Sequence, residues 1–436
     1  MSLATLGAAR QAPRTDASPG LRSRLRNPGS MAGDQPDTEN RFLRLHEPPS
    51  RHAIKPRISS SSSILQLPSD FILIRREMSS TKILTASCHC RSVHFTLSLP
   101  TSSLPLRTHI CNCTICRRTH GALATFHAPL PLGIEPFFIA PSILDSLTGY
   151  RHAHATSTKY FCSTCGCHIG DRMDDDDIWN ISISIFDENT NANEDVWVID
   201  EHYFTSSTRD GGLAALLPKI GERKLKTFDT QPGGVVIPDC ESHQHQDDDE
   251  NKLLARCHCG GISFAISRPQ KNFINSPSSK KWIHPGDTTK WLALIDVCRD
   301  CRLTTGAHAV PWLYVPRDHI SPPLPDDLLL GTSKSYKSSN GVRRTFCGAC
   351  GATVFFGHVN RPHILDVAVG IIHSDEGVML GNWALWKTDA LISADDGQRY
   401  DQAFTDALTE GLREWGVRTH GEVRNLVVEE EKLLDF

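Results

Sequence analysis

The sequence predicts a mainly β protein: two tandem copies of one cysteine-rich domain of antiparallel sheets, followed by a short C-terminal helix. Three observations predict it. Cysteine blocks recur in the same order in two halves of the 436-residue chain. Apolar residues alternate with a period of two after the matching blocks, the pattern of half-buried strands. Apolar residues at helical spacing stand out only near the C-terminus.

The repeat is explicit. Ser87-Cys88-His89-Cys90 answers to Arg256-Cys257-His258-Cys259. Cys113-Thr114-Ile115-Cys116-Arg117 answers to Cys298-Arg299-Asp300-Cys301-Arg302. Phe161-Cys162-Ser163-Thr164-Cys165-Gly166 answers to Phe346-Cys347-Gly348-Ala349-Cys350-Gly351. Cys116 and Cys162 stand 46 residues apart, as do Cys301 and Cys347. Self-similarity in such register makes each copy one structural unit. The second copy is longer between its first two blocks, and the polar segment 269–286 reads as a surface insertion.

The strands follow from the alternation. Val93, Phe95 and Leu97 alternate with polar residues, as do Ile262, Phe264 and Ile266 after the matching block. Trp179, Ile181, Ile183 and Ile185 form a second series, answered by Leu365, Val367 and Val369. Phe404, Ala407, Leu408, Leu412 and Trp415 make the packing face of the helix.

Composition divides the chain into an N-terminal extension (1–77), a first domain (78–235), a linker (236–251) and a second domain (252–436). The extension is rich in Ser, Pro and Arg, includes Ser59 to Ser63 in an unbroken run, and reads as disordered. Over residues 1–30, Arg10, Arg14, Arg22, Arg24 and Arg26, set against the single acid Asp16, resemble a mitochondrial presequence in composition; the competing reading is a start at Met78. The linker carries His243, His245 and the acidic run Asp247 to Glu250, a solvated stretch rather than a metal tract.

The net charge of −4 lacks the basic footprint of a nucleic-acid binder. No apolar run reaches membrane-spanning length, so a membrane is not expected as a partner. Fifteen cysteines, clustered one or two residues apart and without a secretory signal, favour metal binding in a reducing compartment, here the cytoplasm.

The first and third blocks supply two cysteines each, and together they complete the four-sulfur shell of a structural zinc. Cys88 and Cys90 pair with Cys162 and Cys165; Cys257 and Cys259 pair with Cys347 and Cys350. Disulfides or a redox dithiol are the alternatives. The middle block differs between copies. Cys111, Cys113 and Cys116 offer three thiolates within six residues, which suits a zinc with one exchangeable position. Cys167, His109 and His120 are candidates to close that site instead. In the second copy Asp296 replaces the first cysteine beside Cys298 and Cys301, a harder and weaker site whose occupancy is left open. The expected complement is therefore two Zn2+ in the first domain and one in the second, with room for another. Arg117 and Arg302 are suited either to a substrate carboxylate or to moderating thiolate charge. Gly121 and Gly306 read as turn residues, and His89 and His258 as exposed spacers. Cys240 in the linker reads as a free thiol.

This order of blocks, with Arg and a Thr/Gly turn after the middle one, resembles the glutathione-dependent formaldehyde-activating enzyme family, whose module is also called the CENP-V/GFA domain. The resemblance covers about 78–235 and 252–436. It implies an antiparallel β-tent fold, a structural zinc at each four-cysteine set, and an active zinc at Cys111, Cys113 and Cys116. It also implies carbon–sulfur lyase chemistry on a small-molecule thiol: glutathione and formaldehyde giving S-hydroxymethylglutathione. The competing expectations are a non-enzymatic zinc-stabilised scaffold that binds a protein, and zinc buffering or redox sensing.

Overall fold

The computed structural model describes residues 80–187, 196–230, 251–277 and 281–426. All of the expected N-terminal extension, and the linker up to residue 250, lie outside the described residues.

Each copy is a large sheet beside a three-stranded one. In the first copy, strand Thr81–Ser87 pairs antiparallel with His94–Pro100, which pairs in turn with Phe137–Phe138. The second copy repeats this with Lys252–Arg256, Ser263–Ser267 and Ile320–Ser321.

The large sheets also correspond. The first runs Lys226–Phe228, Trp197–Tyr203, Leu106–Cys111, Thr125–Pro129, Trp179–Ser182, His168–Met173, Ser157–Cys162, Leu147–Tyr150. The second runs, from the opposite edge, Ser333–Ser339, Val342–Cys347, Thr353–His358, Ile364–Ala368, Val310–Pro316, Trp291–Asp296, Ala384–Trp386. Most neighbours are antiparallel. The parallel pairs lie at one edge of each sheet: Trp197–Tyr203 runs parallel to both Leu106–Cys111 and Lys226–Phe228, and Ala384–Trp386 parallel to Trp291–Asp296.

The second alternating series stops sooner than its sequence suggests. The strand ends at Ser182, and Ile183–Ile185 form a 3₁₀ turn; Val369–Ile371 do the same in the second copy. All six residues stay buried, so alternation of buried positions outlasts the ladder.

A seven-residue helix starts within each middle block and carries its last cysteine: Thr114–His120 and Arg299–Thr305. The sequence alone did not show them, because seven residues are too few to establish a helical period. Both end on a glycine in the left-handed region, Gly121 at φ 76° and Gly306 at φ 77°. A Cβ on Gly121 would lie 2.5 Å from the Thr353 carbonyl oxygen, and one on Gly306 would collide with the carbonyl oxygen of His168. The expected turns are therefore also the points where the two copies touch.

The C-terminal helix, Ala394–His420, is longer than expected and is broken at Asp401, whose side chain accepts a hydrogen bond from Phe404 N at 2.9 Å. Phe404, Ala407, Leu408, Leu412 and Trp415 are buried as anticipated. The helix packs on the first copy: Phe404 meets Phe126 edge-on at 5.5 Å, and the Tyr400 hydroxyl donates to the Ile183 carbonyl. One hydrophobic core runs through both copies, from Phe95 and Ile181 to Phe264, Val367 and Leu412.

Candidate metal centres

Four groups of ligand-type side chains converge, each with its ligand atoms within 4.8 Å of one another. Two are the four-cysteine sets expected from the sequence: Cys88, Cys90, Cys162 and Cys165, and Cys257, Cys259, Cys347 and Cys350. Cys90 Sγ lies 3.4 Å from Cys88 Sγ and 3.6 Å from Cys162 Sγ; Cys259 Sγ lies 3.5 Å from both Cys257 Sγ and Cys347 Sγ. A disulfide would need about 2.05 Å, and all the described cysteines are free. Four sulfurs bonded tetrahedrally to one ion at about 2.3 Å would stand roughly 3.8 Å apart. The donor sets therefore fit a single soft dication.

The surroundings suit thiolate rather than thiol. Val93 N and Ile262 N each donate to the first cysteine of their set at 3.4 Å, and the Thr332 hydroxyl lies 3.1 Å from Cys347 Sγ. Hydrogen bonding within each set depresses the pKa of Cys90 and Cys347 and raises that of Cys165 and Cys350. Crowded sulfurs share protons in this way unless a cation balances their charge.

The other two groups are Cys111, Cys113 and Cys116, and Asp296, Cys298 and Cys301. Cys111 closes a strand. Cys113 caps the following helix, its Sγ accepting from Cys116 N at 3.3 Å. Cys298 does the same for Cys301 N at 3.2 Å. Asp296 takes the place of Cys111, with Oδ2 3.1 Å from Cys301 Sγ and Oδ1 accepting from Cys298 N at 2.7 Å. Cys167, His109 and His120 do not join the first three-residue group. Cys167 lies in the hydrophobic core, His109 stacks on Tyr203 at 4.6 Å, and His120 Nδ1 lies 3.0 Å from the Cys116 carbonyl oxygen.

The family model described as glutathione-dependent formaldehyde-activating enzyme matches residues 83–207 and 286–387. The chain belongs to the glutathione-dependent formaldehyde-activating enzyme family. No curated protein matches it. The second family segment starts beyond Cys257 and Cys259, yet the fold returns those two cysteines to Cys347 and Cys350 just as in the first module.

Within this family fold each three-ligand group has a cation that sequence reasoning overlooked. Lys159 Nζ lies 3.5 Å from Cys116 Sγ, and Arg344 Nη1 lies 3.4 Å from Cys301 Sγ. Each stands three residues before the third block, so the repeat carried the signal. Burial opposes the charge on Lys159, but Cys116, Asp171 and Cys113 outweigh it and raise its pKa. Cys116 is driven well below the usual thiol range, first by hydrogen bonds from Cys111 and Cys113 and then, against burial, by Lys159.

The conserved-looking arginines turn inward. Arg117 donates to the Asn112 carbonyl at 3.0 Å, Thr114 Oγ1 at 3.1 Å and the Ser207 carbonyl at 3.2 Å. Arg302 donates to the Ser184 carbonyl and lies over the Tyr400 ring at 3.4 Å. Both are buried and brace the loop or the module contact.

The spacers also need correction. His89 and His258 are half-buried rather than exposed, and each reaches a tyrosine of the other module at 2.7 Å: His89 Nδ1 to Tyr336, His258 Nδ1 to Tyr150.

Behind the first three-cysteine group lie three buried histidines. His120 and His168 stack at 3.7 Å, and His127 Nδ1 is 3.9 Å from Asp171. Burial lowers the pKa of all three, that of His168 to about 3. The second module has Thr305, Trp312 and Thr353 in corresponding places, so its centre is walled differently.

Proposed function

We propose that the protein is a zinc-dependent enzyme of carbon–sulfur lyase type, working at Cys111, Cys113 and Cys116 on a thiol adduct such as S-hydroxymethylglutathione. Family membership supports the reaction class. The observation that carries it is the three-thiol group with Lys159 against Cys116. Three protein ligands leave the fourth tetrahedral position for an incoming thiol.

A zinc ion there would act as a Lewis acid and lower the pKa of a thiol bound to it. The reaction is an addition of R–SH across a carbonyl. The S–H proton is released, an S–C bond forms, the C=O π pair moves onto oxygen, and oxygen takes up a proton. No oxidant or reductant enters. The chain's part is to hold sulfur charge in a buried site. Lys159 Nζ offsets the negative charge of a three-thiolate dication centre. Arg117, its donors spent on the loop around Asn112 and Ser207, keeps Cys113 and Cys116 in place rather than gripping substrate.

The four-cysteine sets are proposed as structural zinc sites, one per module. They join segments 72 and 88 residues apart in sequence, so binding energy there is folding energy. The unbridged described cysteines fit a reducing compartment such as the cytosol. Among the described residues no helix is long and apolar enough to cross a membrane.

The test is exchange spectroscopy of glutathione with formaldehyde on the purified, zinc-loaded protein. Acceleration that Cys111→Ser abolishes, with the circular dichroism unchanged, supports the reading. Absence of acceleration by the wild type rejects it.

A further inference from the structure

The altered centre of the second module opens into a cavity of about 890 Å³, lined by Asp296, Cys298, Cys301, Trp312, Arg344 and Phe356 among others. That volume is within the range of small-molecule sites. We propose that this module is a second ligand site, in which Asp296, Cys298 and Cys301 hold a divalent transition-metal ion and Arg344 receives the carboxylate of a small organic anion with an apolar body.

Charge is the first argument. Replacing a thiolate with a carboxylate leaves the formal charge of the donor set unchanged, and Arg344 preserves the cation that Lys159 supplies in the first module. A decayed site has no reason to keep both. Asp296 is only 8% exposed, and its two oxygens are already directed at Cys298 N and Cys301 Sγ. Once its thiols ionise, a buried carboxylate beside one buried and one half-buried sulfur carries more negative charge than Arg344 alone offsets. The donor set of one oxygen and two sulfurs is harder than three sulfurs and accepts zinc or cobalt.

The cavity walls supply the second argument. Arg361 is committed to another carboxylate, its guanidinium forked onto Asp366 at 2.6 and 2.8 Å. Arg344 is not: Nε donates to Ser338 Oγ at 3.0 Å and Nη1 to Cys301 Sγ, while Nη2 has no hydrogen-bond partner among the described residues. Its guanidinium lies 4.8 Å from the centre of the Phe356 ring. Trp312 and Phe356 stand where the first module has His127 and Asp171, so polar residues there are aromatic walls here. A planar apolar anion matches one cation in a cavity that two aromatic rings also line. This proposal stands independently of the chemistry assigned to Cys111.

The experiment uses the full chain loaded with Co2+, with benzoate as the probe. Native mass spectrometry counts the ions, and calorimetry reads benzoate affinity. Cys298→Ser and, separately, Asp296→Asn are expected to carry one Co2+ fewer than wild type, with unchanged far-ultraviolet circular dichroism. Arg344→Lys keeps the ion count and weakens benzoate about tenfold, as expected for losing one charge-assisted hydrogen bond. Should Cys298→Ser unfold, the near-isosteric Asp296→Asn supplies the count. Equal Co2+ content in wild type and Asp296→Asn overturns the metal site. Failure of wild type to bind benzoate, or equal affinity in Arg344→Lys, overturns the ligand site.

Discussion

His89 Nδ1 lies 2.7 Å from the Tyr336 hydroxyl, which places the spacer of one module's four-cysteine set against an edge strand of the other module. The same ring reaches Asp300 with Nε2 at 3.1 Å, inside the second module's middle block. His258 and Tyr150 repeat the tyrosine contact in the opposite sense. The modules thus hold each other's cysteine loops. Tyr336→Phe is expected to cost about 1 kcal/mol of stability, and Tyr336→Phe with Tyr150→Phe about twice that. Denaturant unfolding with hydrogen exchange checks this. Unchanged protection of 298–305 in the double variant would refute the coupling.

The glycine caps make a sharper version of the same point. Gly306→Ala places a Cβ against the His168 carbonyl at φ 77°. Strain and overpacking together should cost about 2–4 kcal/mol. Gly421→Ala is the control: it also has a positive φ, 78°, but nothing lies within 4 Å. It should cost only about 1 kcal/mol. Equal midpoints in urea for the two variants would contradict the tight module contact.

Lys159 tests the proposed active centre without touching a ligand. Lys159→Met is expected to lower kcat/KM for the thiol adduct about 10- to 100-fold at unchanged zinc content. Lys159→Arg should recover most of it, because the second module already places an arginine at that position. A Lys159→Met variant of full activity would remove the charge-balancing role.

Buried histidines make folding pH-dependent. His202 is fully buried, Nε2 2.9 Å from the Leu217 carbonyl, and burial lowers its pKa from 6.5 to about 4. The unfolded chain binds the proton more readily, so this contribution is intact above pH 6.5 and is lost as pH falls toward 4. By pH 5 the loss is on the order of 2 kcal/mol. Melting of His202→Gln between pH 7.5 and 5 should therefore show a shallower decline than wild type; a parallel decline would contradict it.

The repeat made the sulfur chemistry readable. Cys88 and Cys162 are remote in sequence, but the same two cysteine pairs recur in the same order in both copies, which tied the first and third blocks together. Strand periodicity placed Phe95, Ile181 and Val367 in the core. What escaped depends on contacts remote in sequence, some of them with the other module. His89 looks like a spacer because its partner is Tyr336, 247 residues away. An arginine follows the last cysteine of the middle block in both copies and suggested a substrate hand, but the acceptors of Arg117 include the Asn112 and Ser207 carbonyls, which no sequence pattern marks. Lys159 and Arg344 were legible at equal offsets, yet a lone cation in a strand is usually a solvated one.

The central claim is that sulfurs from distant segments share metal ions. Native mass spectrometry of the purified chain, paired with zinc-edge X-ray absorption, measures it directly. The account predicts at least about three zinc ions per chain and a sulfur-dominated shell near about 2.3 Å. A metal-free mass with Cys90 bonded to Cys162, or Cys259 to Cys347, as a disulfide would contradict it.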